Sequence, residues 1–269
     1  MGRSNGRKSI FITGAASGIG AESAKFFAAR GWFVGLYDIN EEGLAEVASA
    51  IGADACHTAR LDVRDRSDWA SAVAGFSEAT GGQMHVLFNN AGVGRHGWFE
   101  EVSGEDNDWI VDINLKGVIN GIEACLETLK ATPGARIVNT ASTAGLVGAP
   151  QLAVYSATKF AVRGLTEALD VEFKGIGVRV VSLMPWFVET PILDMGKSAE
   201  SNVKMADQIR ESGATVYPVA LAAEMAWEAA HGDDVHYLVG KDAKRARFAA
   251  RFFPKRLRKR LMTDLPART

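Results

Sequence analysis

The amino-acid sequence predicts an α/β fold: a doubly wound parallel sheet of seven strands between two helical layers, in one domain. Three observations carry that expectation. Short apolar runs alternate with longer stretches of helical periodicity, the pattern left by strand, crossover helix and next strand. The strand candidates are apolar on both faces, as strands covered from both sides must be. No Pro/Ser-rich linker and no internal repeat divides the 269 residues.

The elements follow in order. Residues 9–13, Ser-Ile-Phe-Ile-Thr, read as the first strand. Residues 32–37, 55–61, 85–88, 136–141 and 178–183 read as the next five, and 235–239 as a shorter seventh. Helical periodicity occupies 18–30, 41–51, 66–80, 106–131, 152–174 and 218–231 between them. Right-handed crossovers then give the strand order 3-2-1-4-5-6-7. The stretch 190–216 has helical pieces but no strand, and its place after the sixth strand suits a substrate lid.

Composition narrows the function classes. A chain 47% hydrophobic and 23% charged suits a globular protein with a large core. It has no uninterrupted apolar run of about 18 residues that could span a membrane. The polar start, Met1 to Ser9, predicts no signal peptide. Two cysteines, Cys56 and Cys125, are too few for a disulfide framework and point to a reducing, cytoplasmic setting. His57 beside Cys56 does not suggest a metal site, because neighbours on a strand face opposite ways. The net charge is −2 but unevenly spread: 241–269 holds eleven Lys/Arg against two Asp/Glu, while the rest holds 19 against 30.

The turn after the first strand reads Thr13-Gly14-Ala15-Ala16-Ser17-Gly18-Ile19-Gly20. Glycines let the backbone turn sharply and approach a ligand closely. The helix that opens there presents free N–H groups to a pyrophosphate. The spacing G-x-x-x-G-x-G differs from the common dinucleotide fingerprint, but its strand-before, helix-after setting is the one that dinucleotide binding needs. Asp38 ends the second strand, 18 residues after Gly20. A carboxylate there accepts hydrogen bonds from ribose hydroxyls and repels a 2′-phosphate. No cation stands at Ser17, Asp38 or Ile39, so NAD is expected ahead of NADP.

Tyr155 and Lys159 are four residues apart, on one face of a helix. Alone, the pair could be an incidental surface feature. An ammonium beside a phenol favours the phenolate, which would make Tyr155 a general acid or base. Ser142 lies thirteen residues earlier.

Taken together these residues resemble the classical short-chain dehydrogenases/reductases, from about residue 8 to 190 and more loosely to about 240. The matching motifs are Thr13-Gly14-x-x-x-Gly18-Ile19-Gly20, Asp62-Val63, Asn89-Asn90-Ala91-Gly92, Asn114, Ser142 and Tyr155-x-x-x-Lys159. The resemblance implies a Rossmann-like fold and roles for each residue. Tyr155 would exchange the proton with the substrate oxygen, and Lys159 would lower its pKa and hold the nicotinamide ribose. Ser142 would hydrogen-bond the substrate oxygen, and Asn114 would hold a water that links Lys159 to solvent. Gly14, Ser17, Gly18, Ile19, Gly20 and Asp38 would line the cofactor. So would Asp62 and Val63 at the adenine, Asn90 at the adenosine-side ribose, Ala91 and Gly92 under the cofactor, and Pro185, Val188 and Thr190 at the carboxamide. The resemblance also implies a homo-dimer or homo-tetramer, built partly from the helices at 106–131 and 152–174.

One departure stands out. Where the family usually has Pro-Gly after the sixth strand, this chain has Pro185-Trp186. The indole either lines the pocket or packs outward. Substrate-facing candidates are Val93, Gly94, His96, Thr143, Ala144, Leu146, Trp186, Phe187 and Ile192. Most are apolar, which predicts a hydrophobic or aromatic secondary alcohol or ketone. The alternative is a catalytically silent NAD-binding sensor or scaffold on the same fold; the intact Asn114, Ser142, Tyr155 and Lys159 set argues against it. An epimerase or dehydratase of the extended branch would need a larger C-terminal substrate domain. The tail interleaves aromatics with cations, which suits first an acidic surface of its own or a neighbouring subunit and second an anionic membrane met peripherally; nucleic acid is not expected, since no reading module is present.

Overall fold

Alternation along each strand divides the core into two layers. In β1 (Ser9–Thr13), Ile10 and Ile12 enter one layer and Phe11 the other. In β2 (Phe33–Asp38), Val34 and Leu36 oppose Phe33 and Tyr37. The same division runs through β3 (Cys56–Arg60), β4 (Val86–Asn89), β5 (Arg136–Thr140), β6 (Arg179–Pro185) and β7 (His236–Val239). The computed structural model describes residues 3–194, 209–211 and 213–263. Among them the seven strands form one parallel sheet in the order β3-β2-β1-β4-β5-β6-β7, as the sequence predicts.

Helices cover both faces. On the first, α1 (Gly18–Ala28) contributes Ala21, Ala24 and Phe27, and α2 (Glu41–Ile51) contributes Leu44 and Val47. The second is covered by α3 (Arg66–Thr80), with Trp69, Ala72 and Phe76. Capping side chains fix where several helices start. Asn40 accepts from Gly43 N, Asp65 from Ser67 N and Asp68 N, and Ser103 from Asp106 N at the head of α4 (Gly104–Val111), which satisfies amides that the first turn leaves free.

The sequence predicts one helix over 106–131. The structure has α4, a π turn at Asp112–Lys116, and α5 (Gly117–Lys130) on a continuous axis. Gly117 N donates to Asp112 O, five residues back. The inserted residue lets Asn114 face inward, fully buried. α5 adds Val118, Ile122, Cys125 and Leu129 to the second layer, and α6 (Ala153–Glu172) adds Val162. The first layer is completed by α7 (Val219–His231), whose Ala222, Ala226 and Ala229 let it pack closely on α1.

Of the expected lid, Pro191–Asp194 is a short 3-10 turn and Val188 bridges to Tyr217. Residues 195–208 and 212 of that stretch lie outside the described residues. The basic tail forms two helices that periodicity does not reveal, α8 (Lys241–Phe252) and α9 (Pro254–Thr263). Pro254 suits a helix start, where no amide partner is lost.

Candidate active site

All seven strands are parallel, so their carboxyl ends share one edge, where ligands of such sheets bind. Gly14 turns the chain there at φ 65°, and a Cβ on it would stand 2.8 Å from Ala91 Cα. The loop after β1 therefore lies directly on the loop after β4. Thr13 Oγ1 joins them by accepting from Asn90 N at 3.0 Å and Ala91 N at 3.1 Å. Asn90 Nδ2 donates back to Thr13 O at 3.1 Å and Gly14 O at 3.3 Å. The Asn90 amide, expected at a ribose, is thus a staple between two loops.

α1 opens with no side-chain cap and no acid in its first turn, which leaves its amides for an anion. Asp38 faces this turn: Oδ2 accepts from Ala16 N at 3.1 Å and Oδ1 from Asn40 N at 3.0 Å. The end of β6 closes over it, with Thr190 Cγ2 3.2 Å from where a Cβ on Gly18 would be. A backbone cradle closed to side chains, free helix amides and a carboxylate at the second strand fit a dinucleotide. Asp62, expected at the adenine, is engaged elsewhere: Arg64 Nη2 donates to its Oδ2 at 2.6 Å and Nε to its Oδ1 at 2.9 Å. The Arg64 bonds hold its carboxyl below the usual range. Val63 is buried, and its carbonyl accepts from Trp69 Nε1 and Asn120 Nδ2.

Tyr155 and Lys159 lie in the first turns of α6, beside Ser142, which follows β5 at the head of the 3-10 turn Thr143–Gly145. Ser142 is held at φ 132°, ψ 159°, a region that residues other than glycine rarely enter. Its Oγ accepts from Ala144 N at 3.1 Å and lies beside the Tyr155 phenol, where it favours the phenolate. The 3-10 turn Thr143–Gly145 rides on α6: a Cβ on Gly145 would meet Lys159 O at 2.6 Å. Lys159 is 2% exposed, and its Nζ donates to Thr140 O at 2.9 Å.

The electrostatics differ from the simple expectation. Burial raises the Tyr155 pKa, and the Ser142 hydroxyl offsets that in part. The residue as a whole is half-buried, but the phenol is surrounded closely enough for desolvation to dominate. Burial also lowers Lys159 to about 8. Its Nζ, 5.5 Å from the Tyr155 ring centroid, is turned to the Thr140 carbonyl rather than to the phenol oxygen. The ammonium therefore does not offset the burial of its neighbour.

Asn114 clamps Val93. Its Oδ1 accepts from Val93 N and its Nδ2 donates to Val93 O, both at 2.8 Å, with Thr158 Oγ1 at 3.4 Å. Two of the four hydrogen-bonding positions of its amide thereby fasten the loop after β4. Gly92 lies between the two polar groups: a Cβ on it would stand 3.4 Å from Asn114 Oδ1 and 3.5 Å from Lys159 Nζ.

The substrate-facing set divides. Gly94 borders Tyr155, with its Cβ position 3.7 Å from Tyr155 Cδ2. Thr143 is buried and its hydroxyl donates to Pro185 O at 3.1 Å, so it braces the site from behind. His96 is half-buried and desolvation lowers its pKa. Leu146 and Trp186 pack, partly buried, on the second core layer. Trp186 meets Phe187 edge-on at 5.2 Å, and its Nε1 is buried without a partner. Of the two placements open to it, lining the pocket or packing outward, the outward one is not taken, since the indole lies partly buried on the second core layer. Ile192 is half-buried in the turn after β6. Sequence reasoning gave no duty to the Thr140 carbonyl, Thr13 Oγ1 or Gly145. Only Thr13, at a strand end before a glycine, carried any signal. Among the described residues, no three His, Cys, Asp or Glu side chains are placed to hold a metal ion.

Comparison with known proteins agrees with this geometry. Residues 8–203 match the family model for short chain dehydrogenase. Oxidoreductase UcpA of Salmonella typhimurium is 39% identical over 197 residues, which cover 72% of this chain and 74% of that protein. The 3-alpha-(or 20-beta)-hydroxysteroid dehydrogenase of Mycobacterium bovis is 39% identical over 188 residues, 70% and 71% of the two chains. The crystal structure of a short chain dehydrogenase/reductase from Burkholderia phymatum in complex with NAD superposes with a TM-score of 0.81. It is 28% identical, with 98% of this chain and 97% of that one covered. With its glycine cradle, its carboxylate at the second strand and its serine, tyrosine and lysine on one edge of the sheet, the chain belongs to the classical short-chain dehydrogenase/reductase family of oxidoreductases.

Proposed function

We propose that this oxidoreductase uses NAD to interconvert a hydrophobic secondary alcohol and its ketone, with Tyr155 as the acid/base. The observation that carries the reading is the placement of Ser142 beside the Tyr155 phenol, with Lys159 buried on the next turn against Thr140 O. A bound nicotinamide supplies the acceptor or donor of the hydride. Tyr155 takes the alcohol proton during oxidation and returns it during reduction. Ser142, its Oγ anchored by Ala144 N, donates to the substrate oxygen where charge develops. Lys159 keeps a positive charge one turn from Tyr155 below about pH 8, and a turn of its Nζ from Thr140 O toward the phenol on substrate binding would favour phenolate. Asp38 supports NAD, because its carboxylate already lies against the glycine loop at Ala16 and would repel a 2′-phosphate.

The hydrophobic substrate rests on the mostly apolar residues in the segments that follow β4, Ser142 and β6 and on the likeness to a hydroxysteroid dehydrogenase. A panel of alcohols and ketones, assayed with NAD and NADP, tests it; preference for charged sugars or hydroxy acids would remove that part of the reading. Tyr155→Phe tests the mechanism. Activity is expected to fall by about 10²–10⁴-fold with cofactor binding retained, and an equally active variant would overturn the role of the phenol.

A further inference from the structure

A helix lying on a protein normally turns its large apolar side chains inward and its polar ones to water. α8 is arranged the other way. Its buried residues are Ala243 and Ala246, against β7 and the turn after Ser142. Its outer face carries Phe248 and Phe252, each 58% exposed, and Phe253 at the joint with α9 is 51% exposed. The three rings cluster, with Phe248 4.9 Å from Phe252 and 5.9 Å from Phe253. The same two helices carry Lys244, Arg245, Arg247, Arg251, Lys255 and Arg256, all exposed, with Arg251 5.8 Å over the Phe252 ring and Lys244 and Arg247 bordering the cleft beside β7. Among the described residues only Arg245 of these six has an acidic partner, Asp242. α9 continues the positive surface with Arg258, Lys259 and Arg260, and Met262 is 66% exposed.

We propose that this aromatic and cationic face docks on the surface of an anionic lipid bilayer. The phenylalanines enter the boundary between headgroups and acyl chains, and the cations meet lipid phosphates and carboxylates. Charge disfavours a two-fold contact through this same face, which would set the cations of one chain against those of the other; the acidic body of a second copy is the competing occupant, and the test below includes it. Ring placement favours a bilayer over nucleic acid: the phenylalanines form a single wedge rather than platforms spaced along a groove. None of these exposed residues belongs to the candidate active site, so the inference stands apart from the redox reading.

Vesicle sedimentation of the full chain tests it. The protein is expected to sediment with phosphatidylcholine vesicles containing phosphatidylserine, to stay in solution with phosphatidylcholine alone, and to be released by high salt. The triple variant Phe248→Ser, Phe252→Ser, Phe253→Ser and the charge reversal Lys255→Glu, Arg256→Glu should each weaken partitioning at least about tenfold. Both should keep wild-type circular dichroism and activity without vesicles. Absence of sedimentation with anionic vesicles, or equal sedimentation of wild type and both variants, would overturn the proposal. So would an RNA oligonucleotide that strips the protein from vesicles, or tail-dependent self-association in light scattering that persists when vesicles are present.

Discussion

Lys159 is buried against the Thr140 carbonyl with its pKa near 8, below the 10.5 of a free lysine. Between those values the unfolded chain binds the proton and the folded chain does not. Stability therefore rises with pH across that window, and the whole cost is present below it. At about 1.36 kcal/mol per pH unit, the cost at neutral pH is about 3 kcal/mol. Lys159→Met is expected to unfold at a higher temperature than wild type at pH 7, with the gain fading as the pH approaches 10; thermal unfolding at both values measures it. Asp38 gives a second prediction at this scale. Asp38→Ser removes the charge that opposes a 2′-phosphate and keeps a hydroxyl near Ala16 N. The ratio of kcat/KM for NADP over NAD should rise about tenfold or more, and an unchanged ratio would mean that discrimination lies elsewhere.

Between α4 and α5, the π turn exists to aim one side chain. Asn114→Ala would leave Val93 N and Val93 O buried and unpaired, at a cost of about 2–4 kcal/mol, readable in urea unfolding. The loop at Gly92 and Gly94 should loosen with it, so activity should fall further than the lost stability explains. Nothing in the sequence revealed the turn, because one inserted residue moves the apolar pattern by a single position, which the mixed spacing of three and four residues in a segment of a few turns conceals. Gly145 was equally invisible. Its role is a near contact with the backbone of Lys159, and no pattern of residue types records which backbone passes close. Gly145→Ala should lift the Thr143–Gly145 turn from α6 and carry Ser142 away from Tyr155. In steady-state assays kcat should drop while the KM for cofactor stays near wild type; a matched change in both would refute this account.

For the molecule as a whole, the sheet order and the edge that holds the site were readable from the chain, because strands buried on both faces leave unbroken apolar runs and crossovers have one hand. The tail helices were not, since α8 puts alanine inside and phenylalanine outside and so defeats the usual sign of amphipathicity. Side-chain duties were legible only in kind. Asn90, Asp62 and Thr143 read as hydrogen-bonding residues at a cofactor or substrate site, yet their partners are Thr13 and Gly14, Arg64, and Pro185. Those assignments depend on distances that only the folded chain fixes. Ser142 joins the local and global scales. Its backbone sits where glycine is at ease and serine is strained, so Ser142→Gly should be more stable than Ser142→Ala by roughly 1–3 kcal/mol in urea unfolding, with both inactive. A library selected for heat resistance alone would therefore drift to glycine at this position, and its loss of chemistry would first be noticed as an improvement in robustness.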